Sequence, residues 1–119
     1  MIINISNIDI LEKANFKDLK ELGLFKNEIS DIKVLEKIKF DKLEKLYLSE
    51  NNISNIDILE KVNFKDLKIL NLSENKISDI KVLEKVKFEK LELLDLRNNK
   101  IDVNNYNLII SKMKSILKI

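Results

Sequence analysis

The chain has no cysteine, no histidine, no proline and a single glycine. Without cysteine there can be no disulfide framework and no thiolate site, and a reducing compartment is compatible. Without histidine the commonest general base and metal ligand is missing. The lack of proline and near-lack of glycine removes the usual punctuation of hairpins and linkers, so one uninterrupted unit is expected over residues 1–119. Neither charge sign dominates: 22 basic and 20 acidic residues are interspersed for a net charge of +2. A nucleic-acid binder concentrates basic charge on one face, so no nucleic-acid partner is expected. No apolar run approaches membrane-spanning length. The segment Met1–Asn7 has no basic stretch, and Asp9 and Glu12 follow it, which argues against a signal peptide. A cytoplasmic chain without a membrane partner is the expectation.

What is present is a repeat. Hydrophobic residues make up 45% of the chain, enough to build a core despite 35% charged residues. The phrase Leu-x-x-Leu-x-Leu-x-x-Asn-x-Ile occurs four times at a spacing of 24 residues, beginning at Leu19, Leu43, Leu67 and Leu91. Within Leu46-Tyr47-Leu48 the alternation is that of a strand, so the two leucines point one way and Tyr47 the other. After the Asn, apolar residues recur every three positions, as at Ile53, Ile56 and Leu59, which places a short helix or 3₁₀ turn there. One strand–turn unit cannot bury its own apolar edge. Units therefore stack, and their strands form a parallel sheet.

Two columns should lock the stack. Asn27, Asn51, Asn75 and Asn99 stand where the strand bends, and an inward amide there would bond backbone groups of adjacent turns. Phe16, Phe40, Phe64 and Phe88 form an aromatic spine near the other side. Ser30, Ser54 and Ser78 recur in register as expected turn or cap residues.

The repeated phrase resembles that of the leucine-rich-repeat family over residues 4–101. The continuation Ile-Ser-Asp-Ile at Ile29–Ile32 and Ile77–Ile80 is similar to the repeats of bacterial internalins and of the short phosphatase-regulator type. The resemblance implies an α/β solenoid with a parallel sheet on its concave face and short helices or 3₁₀ turns on its convex face.

The ends break the template. Residues 1–18 make only half a coil, residues 19–103 carry the repeats, and residues 104–119 are expected to close the last coil. Tyr106, Ile109, Ile110, Met113, Ile116 and Leu117 share a helical stripe, so the spacing predicts a capping helix over 105–118 with Asn104 or Asn105 as its N-cap. The strand near Leu22 and Leu24 is expected to be an open edge.

The chain also contains an internal comparison. Residues 4–51 and 52–99 are two copies of a 48-residue unit that differ at 12 positions. Eight outward strand positions of the first copy are Glu21, Gly23, Phe25, Lys26, Lys45, Tyr47, Ser49 and Glu50. Their counterparts are Ile69, Asn71, Ser73, Glu74, Leu93, Asp95, Arg97 and Asn98, and all eight pairs differ. Twelve differences spread evenly over 48 positions would put two among any eight. The framework is kept and one face is varied, which a spacer gives no reason to do.

A protein–protein interaction module is therefore the expected function, with Glu21, Phe25, Lys45, Tyr47, Ile69, Asn71, Leu93, Asp95 and Arg97 as the partner-binding residues. Aromatic residues and arginine are the usual interface anchors, and Gly23 beside Tyr47 is expected to leave room for a ring to tilt. Four strands offer roughly 15 by 20 Å of sheet, short of the ~800 Å² per partner of a standard interface. The alternative is a structural unit, native or designed, that self-associates through an N-terminal edge around Ile3, Ile5 and Leu22. No cofactor, metal or catalytic residue is expected, because nothing here can activate a serine or a carboxylate as a neighbouring histidine would.

Overall fold

The computed structural model describes residues 1–2 and 4–119. Its strands are Glu21–Gly23 (β1), Lys45–Tyr47 (β2), Ile69–Asn71 (β3), Leu93–Asp95 (β4) and Leu117–Lys118 (β5). They form one parallel sheet in chain order. The 24-residue spacing becomes the register: Leu22 pairs with Leu46, Leu46 with Leu70 and Leu70 with Leu94. Those leucines, and the partners two residues on (Leu24, Leu48, Leu72 and Leu96), are fully buried. Period-two alternation sends the intervening residues to the opposite face.

Strands β1, β2 and β3 are each followed by a bend and then a 3₁₀ turn, at Lys33–Lys37, Asp57–Glu60 and Lys81–Glu84, with another preceding β1 at Asp9–Lys13. The apolar spacing here is strictly three, as in Ile32/Leu35, Ile56/Leu59 and Ile80/Leu83, and all six side chains are buried. Three residues per turn suits a 3₁₀ segment, which keeps i and i+3 on one line. The caps fall one residue later than the serine column. Asp31, Asn55 and Asp79 accept the backbone N–H two residues on at 2.8–2.9 Å. Asp and Asn have the reach for this local bond, while Ser30, Ser54 and Ser78 are exposed.

The asparagine column joins coils. Asn75 donates from Nδ2 to the carbonyls of Leu48, Leu72 and Ser73 at 2.9–3.1 Å, and its Oδ1 accepts the N–H of Ile53 at 3.0 Å. Asn51 donates to Leu24, Leu48 and Ser49 and accepts from Asn27 and Ile29. Asn99 donates to Leu72 and Leu96 and accepts from Ile77. Asn27 donates to Leu24 and Phe25. The rings of Phe16 and Phe40 stack with centroids 6.1 Å apart, and Phe40 and Phe64 follow at 6.0 Å. Phe88 is only partly buried against the same core.

Both ends depart from expectation. The C-terminal closure is a 3₁₀ turn at Val103–Tyr106 and a helix of six residues, Asn107–Lys112 (α1), rather than a helix over 105–118. The chain then returns as β5 to pair with β4. A long helix would have left the N–H groups of Leu94 and Leu96 without the carbonyls of Ile116 and Lys118 that accept from them at 2.8 and 2.7 Å. The cap residue is Asp102, which accepts the N–H of Asn104, and not Asn104 or Asn105. Tyr106 ties the cap to the body through a hydrogen bond from its hydroxyl to Asp79 at 3.2 Å. At the other end the β1 edge is not open at Gly23. Ile2 forms a parallel bridge with Gly23, whose N–H donates to the Met1 carbonyl. Ile3 lies outside the described residues.

Candidate functional site

The solvent face of the sheet is built from columns that the register aligns. The first column runs Glu21, Lys45, Ile69, Leu93, and the second runs Gly23, Tyr47, Asn71, Asp95, Lys118. Two residues beyond the second column stand Phe25, Ser49, Ser73 and Arg97. A fourth column, Lys26, Glu50, Glu74 and Asn98, has φ between 55° and 60°. That left-handed conformation turns the chain away from the sheet, and a residue with a Cβ adopts it at a cost of about 1 kcal/mol.

Fourteen of the sixteen varied positions are exposed or half-exposed. Glu21 and Arg97 are exposed, and Phe25, Lys45, Tyr47, Ile69, Asn71 and Leu93 are half-buried. The other two positions correct the sequence reading. Asp95 is 4% exposed, so it is not a free contact. Its carboxylate accepts from Arg97 Nε at 3.0 Å, Nη2 at 2.8 Å and the backbone N–H at 3.1 Å. Strand β5 brings Lys118 into register beside it. The hydrogen-bonded Arg97 side chain holds the Asp95 carboxyl below the usual carboxylate range, with a smaller push from Lys118 and with burial opposing. Asp95 thus positions Arg97, whose own side chain remains 55% exposed.

Gly23 offers no cleft. A Cβ there would stand 3.2 Å from Ile2 Cγ1 and 3.3 Å from Phe25 Cε1, so the space beside Tyr47 is already covered. The first two residues cross directly over it, so an added Cβ would push them off by a few tenths of an ångström.

Asn71 repeats the Asp95 device without charge. Its Oδ1 accepts the Ser73 N–H at 3.0 Å and the Ser73 hydroxyl at 2.7 Å. Tyr47 is its register partner on β2. The face therefore presents an aromatic pair (Phe25 and Tyr47), an aliphatic pair (Ile69 and Leu93, directly opposed in register), and a braced guanidinium at one end. Ser73 donates to an amide oxygen, which is no base, and Asp95 is committed to Arg97. Sequence reasoning missed Lys118 because it lay in the segment predicted as helix, where no strand signal marks it.

A further groove lies elsewhere. An open cleft of about 520 Å³ separates two successive turns on the convex side, between Asp31, Lys33 and Glu36 on one and Asp57 and Lys61 on the other. Every one of those residues is identical in the two copies. The cleft follows from how the coils are spaced, and the varied face is the better candidate. Among the described residues no three His, Cys, Asp or Glu side chains are grouped to hold a metal ion, and no helix is long and apolar enough to cross a membrane.

Residues 41–85 match the model of a family described as leucine-rich repeats, two copies. Among solved structures, an internalin from Listeria monocytogenes is similar with a TM-score of 0.63 and 20% identity. The match covers 98% of this chain and 39% of that one, so the chain spans well under half of its structural neighbour. No curated protein matches the chain.

Proposed function

The chain is a leucine-rich-repeat protein, and from that premise we propose that it is a non-catalytic module that captures a protein partner on its concave sheet face. The observation that carries the reading is where the duplicated halves differ. Eight of their 12 differences fall on the eight outward strand positions, while the buried leucines between them are unchanged. The remaining four, Ala14/Val62, Glu28/Lys76, Ile38/Val86 and Asp41/Glu89, are scattered, and three keep chemical type.

Phe25 and Tyr47 serve as the apolar anchors, Ile69 and Leu93 as a second apolar contact, and Arg97 as a directional donor. Glu21, Lys45 and Asn71 set the polar surround. A guanidinium that already donates two hydrogen bonds to Asp95 loses little freedom on binding, which favours recognition of a carboxylate or carbonyl by its remaining N–H groups. The face is small, so the partner engages a compact epitope with modest affinity.

The test is a pull-down from the native host with wild type, Phe25→Ala/Tyr47→Ala and Arg97→Ala. The reading expects a specific partner captured by wild type and lost from the double variant. Capture unaffected by either change, or lost equally with a convex-side control such as Lys33→Ala, would refute it.

A further inference from the structure

Six positions of the 24-residue repeat are charged in all four coils. At two of them, those of Glu12 and Lys13, the sign is the same throughout. The other four change sign at every step along the stack. Asp18, Lys42, Asp66 and Lys90 form one such column, and Lys20, Glu44, Lys68 and Glu92 another. The columns that begin at Asp9 and Lys17 alternate in the same way. The Asp9 column stands at the first residue of the 3₁₀ turns, and the other three lie between the phenylalanine spine and the strand. Each of the three junctions between repeated coils is bridged from these columns: Asp18–Lys42 at 3.3 Å, Glu44–Lys68 at 3.4 Å and Asp66–Lys90 at 2.9 Å. The acid is on the earlier coil every time. The hydrogen bond from Lys90 holds the Asp66 carboxyl below the usual carboxylate range.

The buried columns do not tell one coil from the next. Those of Leu22, Leu24, Asn27, Ile29, Ile32 and Leu35 hold a single residue type in each repeated coil. Val34, Ile58 and Val82 differ by one methylene group. A coil stacked one place out of order would bury the same leucines and re-form the same asparagine bonds, so the apolar pattern leaves that register open. We propose that the alternating charges are the register device of this solenoid. They fix which coil stacks on which, and they make the two-coil, 48-residue unit the step by which coils can be added, skipped or exchanged.

A single exposed ion pair contributes little to stability. A slip by one coil, however, turns attraction into repulsion in four columns at every junction it forms, while the core contributes nothing to the choice. The small term therefore decides. A slip by two coils restores every sign. Between the two copies of the 48-residue unit these columns change at one place, Asp41 to Glu89, and the sign is kept.

Thermal melting of two lengthened chains, followed by circular dichroism, tests the device. In one, residues 52–75 are duplicated after Asn75, which adds one coil and sets Asp57, Lys65, Asp66 and Lys68 against their own copies. In the other, residues 28–75 are duplicated at the same point, which adds two coils and keeps every sign alternating. On the concave face the one-coil chain sets Glu74 beside its copy, where the native chain already sets Glu50 beside Glu74. The two-coil chain should melt at or above wild type, since each added coil adds a stacked junction. The one-coil chain should melt below wild type by about 4 °C or more in about 10 mM salt, and the gap should close in about 1 M salt. Reversing the four signs in the inserted coil and in the coil after it restores the alternation and should bring the one-coil chain to wild type or above. A one-coil chain as stable as wild type in low salt overturns the proposal. So does a loss that neither high salt nor sign reversal removes, and so does a two-coil chain less stable than wild type. If the one-coil chain does not fold at all, a folded sign-reversed form supports the proposal and an unfolded one overturns it.

Discussion

Replacing Asn75 by alanine isolates what the asparagine column contributes, because the structure says where each lost bond leaves its partner. The Leu48 carbonyl keeps Asn51 Nδ2, the Leu72 carbonyl keeps Asn99 Nδ2, and the Ser73 carbonyl keeps the N–H of Glu50. The N–H of Ile53 keeps nothing. It sits in the buried core with Asn75 Oδ1 as its acceptor. An orphaned buried donor costs about 1–3 kcal/mol, and the other bonds add a fraction of their net ~1 kcal/mol each, so a loss of about 2–3 kcal/mol is expected. For a domain of this size that lowers the melting temperature by roughly 8–12 °C. Asn99→Ala should cost less, since Asn99 is half-exposed and water can replace it. Asn75→Asp should cost more than Asn75→Ala, because it buries a charge and removes both donors. Thermal and urea unfolding followed by circular dichroism measure all three. A cost for Asn75→Ala under about 0.5 kcal/mol, or an Asn75→Asp milder than the alanine, would refute the accounting.

Glu50→Gly relieves a side chain from φ 56° and should stabilise by about 0.5–1 kcal/mol, visible as a raised melting temperature. Gly23→Ala should cost less than about 1 kcal/mol, because its Cβ meets neighbours at 3.2–3.3 Å that can yield. Its mark should be faster hydrogen exchange at the residue 23 amide as Met1 and Ile2 are pushed off. Asp95 has a folded-state pKa below its unfolded one, so its contribution is complete above the unfolded carboxylate range near ~3.9 and is lost as pH falls through the lower folded value. Stability measured from neutral pH into acid should therefore fall less steeply for Asp95→Asn than for wild type, and parallel curves would contradict this.

The sequence by itself determined everything that repeats. Strand alternation at Leu46-Tyr47-Leu48, the three-residue spacing at Ile56 and Leu59, and the asparagine and phenylalanine columns are local patterns written several times over. Each copy is read by the same short-range physics, so the coil, its register and the division between buried leucines and varied face were legible before any coordinates. Most of the candidate site came with that division, including Phe25, Tyr47 and Arg97. The tertiary structure decided what occurs once, at the two ends. The stripe from Tyr106 to Leu117 fits a helix on paper, yet the unpaired edge of β4 takes Leu117–Lys118 as a strand, because bare backbone donors cost more than a truncated helix. That choice set Lys118 in register beside Asp95, which is buried and braces Arg97 rather than standing free as a contact. The crossing of Met1 and Ile2 over Gly23 likewise joins residues some twenty positions apart, a relation that no local spacing encodes.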